Sequence, residues 1–296
     1  MTRPQTRLAD KAMLVKLTIR KASLSRVDTH VTNAIQQQYG DAYLKAVTKL
    51  FQSPGSPVHT IMSAFNEAYS YHKANTLPHI DAGPRILPTA RYFDYTQEMK
   101  YRIGKLEALL DSHMPNYDQL VQDDLAVRTQ AAQAAGRAST ANVADYPSAS
   151  DFRQAMSIEL RFQPMPDTRH FLFDLNEEDL AACERAEAEA IELARADTIN
   201  RMLKPLHALV KRLGEYQGQK GERFHNSVVE NVIEGCRTAK SLAIDPTPEL
   251  LQQIDELEST AKQYLAGVEI IKGSANARAS AKSRLEEVAA KMSMFA

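Results

Sequence analysis

Residues 76–95 read TLPHIDAGPRILPTARYFDY and stand between two segments of helical periodicity. The stretch holds three of the thirteen prolines (Pro78, Pro84, Pro88) and Gly83, with His79, Asp81, Arg85, Arg91, Tyr92 and Tyr95 among them. A plain helix–helix connection needs only a few polar residues. A proline-stiffened one carrying aromatics and cations reads as a loop that packs specifically or binds something. The residues leave open whether Arg85 and Arg91 are braces or an exposed surface.

Upstream, Met13, Val15, Leu17 and Ile19 alternate with Leu14, Lys16 and Thr18, the period of a strand. Ser23 or Ser25 is the expected cap of a helix carrying Val27, Val31 and Ile35. A further helix is expected from Asp41 on Leu44, Val47 and Leu50, and another from Pro57 on Ile61, Phe65, Ala68 and Tyr69. Downstream, a helix is expected over 92–113 on Tyr95, Met99, Ile103, Leu106 and Leu110, followed by one over 117–138. The period then returns to two. Met156, Ile158, Leu160 and Phe162 form one alternating run and Phe171, Phe173 and Leu175 another, read as a β-hairpin.

From residue 177 the pattern is helical nearly to the end, with Pro205 expected to kink or split the long first helix. Leu250, Ile254, Leu257, Ala261, Tyr264, Val268 and Ile271 form a heptad seam. It either packs inside a helical bundle or joins two subunits as a coiled coil. The expected fold is α+β and helix-dominated. A flexible tail over 1–11 precedes an α+β domain over 12–175, with a three-stranded sheet made of the N-terminal strand and the hairpin, and a long-helix region over 176–296.

The chain has 296 residues, 44% hydrophobic and 25% charged, with a net charge of −1, values of an ordinary globular protein. That balance argues against coating nucleic acid or an anionic membrane through overall charge. No apolar run reaches the roughly 20 residues of a membrane span. There is no phosphate-binding Gly-rich loop, no zinc-type Cys/His spacing and no nucleophile elbow, so no cofactor, metal or catalytic residue is assigned. Cys183 and Cys236 read as free thiols. The carboxylates from Glu177 to Asp197 read as a solvated acidic face, or a docking surface for a basic partner.

Arg85, Arg91, Lys100, Arg102 and Lys105 are interleaved with Tyr92, Tyr95 and Tyr101. Cations among aromatics serve single-strand binding, the cations on phosphate and the rings on bases. The alternative is a core stripe flanked by solvated charges. The interaction candidates are His79, Asp81, Arg85, Arg91, Tyr92, Tyr95 and Arg102.

Several segments resemble an uncharacterised family of tailed-phage and prophage proteins, a domain of unknown function. They are AMLVKLTIRKA at 12–22, Tyr71 followed by Asn75-Thr76-Leu77-Pro78, Asp81-x-Gly83-x-Arg85-Ile86-Leu87-Pro88-Thr89-Ala90 and Tyr92-x-x-Tyr95. Ala144-Asp145-Tyr146-Pro147 and Phe162-x-Pro164-Met165-Pro166-Asp167 with Phe171-x-Phe173-Asp174-Leu175 complete the likeness. His79 departs from it, standing where the family has an aromatic. The resemblance implies work in the cytoplasm of a bacterial host and carries no activity. The leading expectation is a non-enzymatic protein that binds a host or phage macromolecule, in counter-defence or as an accessory of DNA metabolism. The alternatives are a nucleic-acid-binding module preferring single-stranded DNA, and an enzyme with its site in residues 71–95. A homo-oligomer through the Leu250 to Ile271 seam is the further assembly considered.

Overall fold

The computed structural model describes residues 8–166 and 177–295. In chain order the elements are α1 (Leu8–Lys11), β1 (Ala12–Arg20), β2 (Ser25–Val27), α2 (Thr29–Tyr39), β3 (Val47–Lys49), α3 (Pro57–Ala74), β4 (Leu77–Pro78) and β5 (Pro84–Pro88). There follow α4 (Tyr92–His113), α5 (Tyr117–Ala134), α6 (Ala149–Ala155) and β6 (Ser157–Pro164). The remainder is α7 (Glu177–Glu215), α8 (Ser227–Leu242), α9 (Pro248–Ala266), α10 (Val268–Gly273) and α11 (Ala275–Ser293). The fold is α+β and helix-dominated, with a small antiparallel sheet and long C-terminal helices.

The chain forms two compact units. Of the described residues, one comprises 8–16, 73–95, 161–166 and 177–295, the other 17–72 and 96–160.

In the first unit the sheet has four strands, ordered β4-β5-β1-β6, in place of the expected three. The extra two come from the proline-rich stretch, read from sequence as a loop. β5 pairs antiparallel with β1, Ala12 opposite Pro88 and Lys16 opposite Pro84, and with β4, Leu77 opposite Ile86. Its prolines stand at the strand ends, where a missing N–H removes least from the ladder. Between them Ile86 and Leu87 are buried. Gly83, at φ 108, makes the turn that leads into β5. The return strand of the expected hairpin, at 171–175, lies outside the described residues. The sheet's apolar face, with Leu14, Leu77 and Ile86, packs on Ala190 and Ala194 of α7.

The four long C-terminal helices form a closed bundle: α7 touches α8 and α11, α8 touches α9, and α9 touches α11. Each carries an apolar stripe at helical spacing, such as Ile199, Met202, Leu206, Leu209 and Leu213 on α7, or Val229, Val232, Cys236 and Ala239 on α8. The heptad seam is used here. Leu250, Ile254, Leu257, Ala261, Val268 and Ile271 all lie in the bundle core, with Tyr264 partly buried against it. Pro205 neither splits nor ends α7, which runs through it.

A charged cluster joins α8 to α9. Lys240 and Lys262 lie 2.7 and 2.6 Å from the two oxygens of Glu258, whose side chain is 10% exposed, and Lys240 also contacts Asp255. Hydrogen bonds from Lys240 and then Lys262 hold the Glu258 carboxyl down at about 2, against an ordinary value of 4.5. A carboxyl held low stabilises the fold fully above its unfolded value and loses that contribution as pH falls through its folded value. Relative to Glu258→Gln, the wild type should be more stable by about 2–3 kcal/mol at pH 7, with the gap closing between about pH 4.5 and 2. Urea midpoints of both proteins across that range measure it.

The second unit is built on α3, α4, α5 and α6, with Ile61, Phe65, Met99, Leu106, Val121 and Phe152 buried. Its centre is Phe51, whose ring lies 5.1 Å from Tyr146 and 5.9 Å from both Tyr117 and Phe152. Phe51 has φ 56, an uncommon value for a bulky residue. The buried Asp124 carboxylate of α5 holds it there, accepting from the N–H of Phe51 at 2.9 Å, the N–H of Ser53 at 3.2 Å and the Tyr146 hydroxyl at 2.6 Å. Burial, then that bond to Asp124, pushes the Tyr146 hydroxyl up to about 12.

Candidate functional site

The cations of the proline-rich stretch are engaged in the fold. The C-terminus of α3 leaves backbone carbonyls without helical donors. Three guanidinium groups gather on this turn. Arg85 Nε donates to Thr76 Oγ1 at 2.7 Å and its Nη2 to the Thr76 carbonyl at 2.9 Å. Arg91 Nη2 donates to Asn75 Oδ1 at 2.7 Å. Arg201, from α7, donates to the carbonyls of Lys73 at 2.9 Å, Ala74 at 2.5 Å and Thr76 at 2.8 Å. Positive charge at a helix C-terminus is also favoured by the helix dipole. Arg85 and Arg91 are therefore half-buried braces of the turn.

Of the other candidates, the Asp81 side chain is exposed and the rest are at least partly packed. Tyr95 is buried, and Phe162 lies 6.4 Å from it and 5.3 Å from Tyr92. His79 Nδ1 accepts from the Asp81 N–H at 3.1 Å, closing a local turn. Arg102 belongs to the second unit, where it pairs with Glu98 at 2.7 Å and stacks over Tyr71 at 4.7 Å. Arg278 of α11 is buried too; it donates to the carbonyls of Ile271 and Lys272 and stacks on Tyr216. The structure brings Arg85 and Arg91 to one turn and Tyr92 and Tyr95 to one aromatic contact.

No group of metal-binding side chains occurs among the described residues, and none of their helices is long and apolar enough to cross a membrane. Cys236 is fully buried and burial pushes its thiol up to about 12, whereas Cys183 is partly exposed. A thiol-disulfide reagent should label Cys183 in the native protein and Cys236 only after unfolding. Rapid labelling of two thiols without denaturant would contradict the buried position of Cys236. A shallow groove of about 750 Å³ runs beside α10 and α11, lined by Tyr264, Ile270, Ala277, Ser280 and Arg284.

No protein-family model, curated protein or solved structure matches the chain.

Sequence reasoning missed the most exposed aromatic surface. Residues 41–50 were expected to be helical, but Val47–Lys49 is β3, paired antiparallel with β2 so that Val27 faces Val47 and Ser25 faces Lys49. The start of the preceding helix also moves. Asp28, not Ser23 or Ser25, caps α2, its carboxylate accepting from the Val31 N–H at 2.9 Å, and Val27 sits on a strand. From Tyr43 to Leu50 exposure alternates: Tyr43, Lys45, Val47 and Lys49 face solvent, while Leu44, Ala46 and Thr48 are half-covered and Leu50 is buried. Tyr43 is 92% exposed, Val47 58% and Val27 49%, and Tyr39, the last residue of α2, is 67% exposed.

The backbone behind this face is fixed. The Asp41 carboxylate accepts from the Tyr43 N–H at 2.8 Å, Gln36 Nε2 donates to the carbonyls of Ala42 and Leu44, and Thr32 Oγ1 accepts from the Ala46 N–H. The signal in the sequence was the alternation of Leu44, Ala46, Thr48 and Leu50, which a spacing of three through Leu44, Val47 and Leu50 concealed.

Proposed function

We propose that this chain works by binding another macromolecule, without covalent chemistry of its own, and that the outward face of residues 43–49 with Val27 is the contact surface. The observation that carries the reading is Tyr43, the most exposed large hydrophobic side chain among the described residues, on a braced turn four residues before Val47 of the exposed Val27–Val47 pair. Large apolar groups clustered in solvent mark interaction sites, whereas scattered ones need no explanation. A pre-braced surface also loses less conformational entropy on binding. Under this proposal the chain acts in an infected bacterial cell, as an accessory of DNA metabolism or of counter-defence; that setting rests on the resemblance of residues 12–22, 71–95 and 144–175 alone.

Replacing Tyr43 with a photo-crosslinking benzoylphenylalanine tests the surface. Irradiation in bacterial extract should give adducts that are absent when the probe stands at Lys220 instead. No adduct, or the same adducts from both positions, would contradict the proposal.

A further inference from the structure

We infer that the partner of this face is a single-stranded nucleic acid. The inference rests on the preceding reading of the surface and adds the chemistry of its occupant. Tyr43 stands in the turn that follows α2, and the outward side chains after it are Lys45, Val47 and Lys49, so a ring and two ammonium groups lie within seven residues of chain. Among the described residues neither Lys45 nor Lys49 is paired with a carboxylate. Residues 20–49 hold five Lys and Arg against two Asp, and of the five Arg20 is paired with Glu159.

Both aspartates are occupied: Asp28 by the Val31 N–H and the Thr140 hydroxyl, and Asp41 by the Tyr43 N–H. Unpaired lysines beside an exposed ring fit a phosphate backbone with a base stacked on the ring. A protein interface fits less well, because lysine is depleted from the core of such contacts. A duplex fits less well too, because stacked and paired bases offer no free face to Tyr43 or Tyr39.

The test is fluorescence anisotropy of a labelled 20-nucleotide oligothymidylate titrated with the full chain at 25 to 300 mM salt. Saturable binding that weakens with salt is expected. The double substitution Lys45→Ala, Lys49→Ala should make the slope of log affinity against log salt shallower by about 1.4, at roughly 0.7 per lost phosphate contact. Tyr43→Ala should weaken binding about tenfold or more and leave that slope unchanged, because stacking is not ionic. Circular dichroism confirms that each variant is folded.

Absence of binding at 25 mM salt, variants that bind like the wild type, or equal affinity for the matching duplex would each overturn the inference. If the benzoylphenylalanine probe captures a protein while oligothymidylate does not bind, the nucleic-acid assignment fails and the surface stands. If neither assay gives a signal, both fail.

Discussion

Asp124→Ala is expected to destabilise the protein by about 3–5 kcal/mol, because it removes a buried acceptor that three donors share. The Phe51 N–H, the Ser53 N–H and the Tyr146 hydroxyl all converge on that carboxylate. Each orphaned buried group costs about 1–3 kcal/mol, and the alanine offers nothing in exchange. The left-handed backbone at Phe51, φ 56, adds about 1–3 kcal/mol of strain that the two N–H bonds now offset. Asp124→Asn should lose roughly half as much, since one amide oxygen still accepts while the NH2 group faces donors. Tyr146→Phe should cost about 1–2 kcal/mol, and the Asp124→Ala, Tyr146→Phe pair should be less than additive because the two share one bond. The chain has no tryptophan, so urea unfolding followed by tyrosine fluorescence and circular dichroism reads these differences directly. Additive costs, or a loss under 1 kcal/mol for Asp124→Ala, would show that the three donors find other partners.

The second large effect is expected at Gly235 on α8, and it follows from Pro205. A proline inside a helix has no N–H for the carbonyl four residues before it, here that of Arg201. Gly235 packs against that carbonyl: a Cβ added there would stand 2.9 Å from the Arg201 oxygen and 3.2 Å from Pro205 Cγ. Gly235→Ala gains helix propensity, worth about 1 kcal/mol. It also forces α8 away from α7 against backbone, and overpacking of this kind costs about 1–3 kcal/mol. Because a carbonyl and a proline ring yield less than a flexible side chain, the net effect should be a loss of about 2 kcal/mol. Gly104→Ala is the control. Among the described residues nothing lies within 4 Å of a Cβ there, so the same change in α4 should stabilise by about 0.5–1 kcal/mol. Opposite signs at the two positions are the expected result in chemical denaturation; equal signs would mean that α7 and α8 do not approach so closely at Pro205.

These two positions illustrate what could and could not be read beforehand. Periodicity exposed β1, the start of α4 at Tyr92 and the apolar spacing of Leu250 to Ile271, because each puts one residue class on one face. It could not say whether the Leu250 seam was internal, since that depends on α7, α8 and α11 closing around it. β5 was hidden by Pro84 and Pro88, which signal a loop until both are seen to sit at strand ends. The bracing role of Arg85 and Arg91 was invisible for a different reason. The third cation on the turn, Arg201, lies 125 residues from Thr76, and only the folded chain shows one turn capped from both sides. Asp124 carried no local signal at all, its partners being 71 to 73 residues away or on the loop at Tyr146. In residues 43–50 two periods competed, and alanine and threonine were too weakly apolar to reveal the one that prevailed.

The most direct measurement of the central claim is a residue-resolved one: amide chemical shifts of the isotope-labelled chain during titration with oligothymidylate at low salt. The largest changes are predicted at residues 43–49 and at their β2 partners, Ser25 to Val27. Changes concentrated instead in residues 76–95 or along α11, with 43–49 unmoved, would contradict the account.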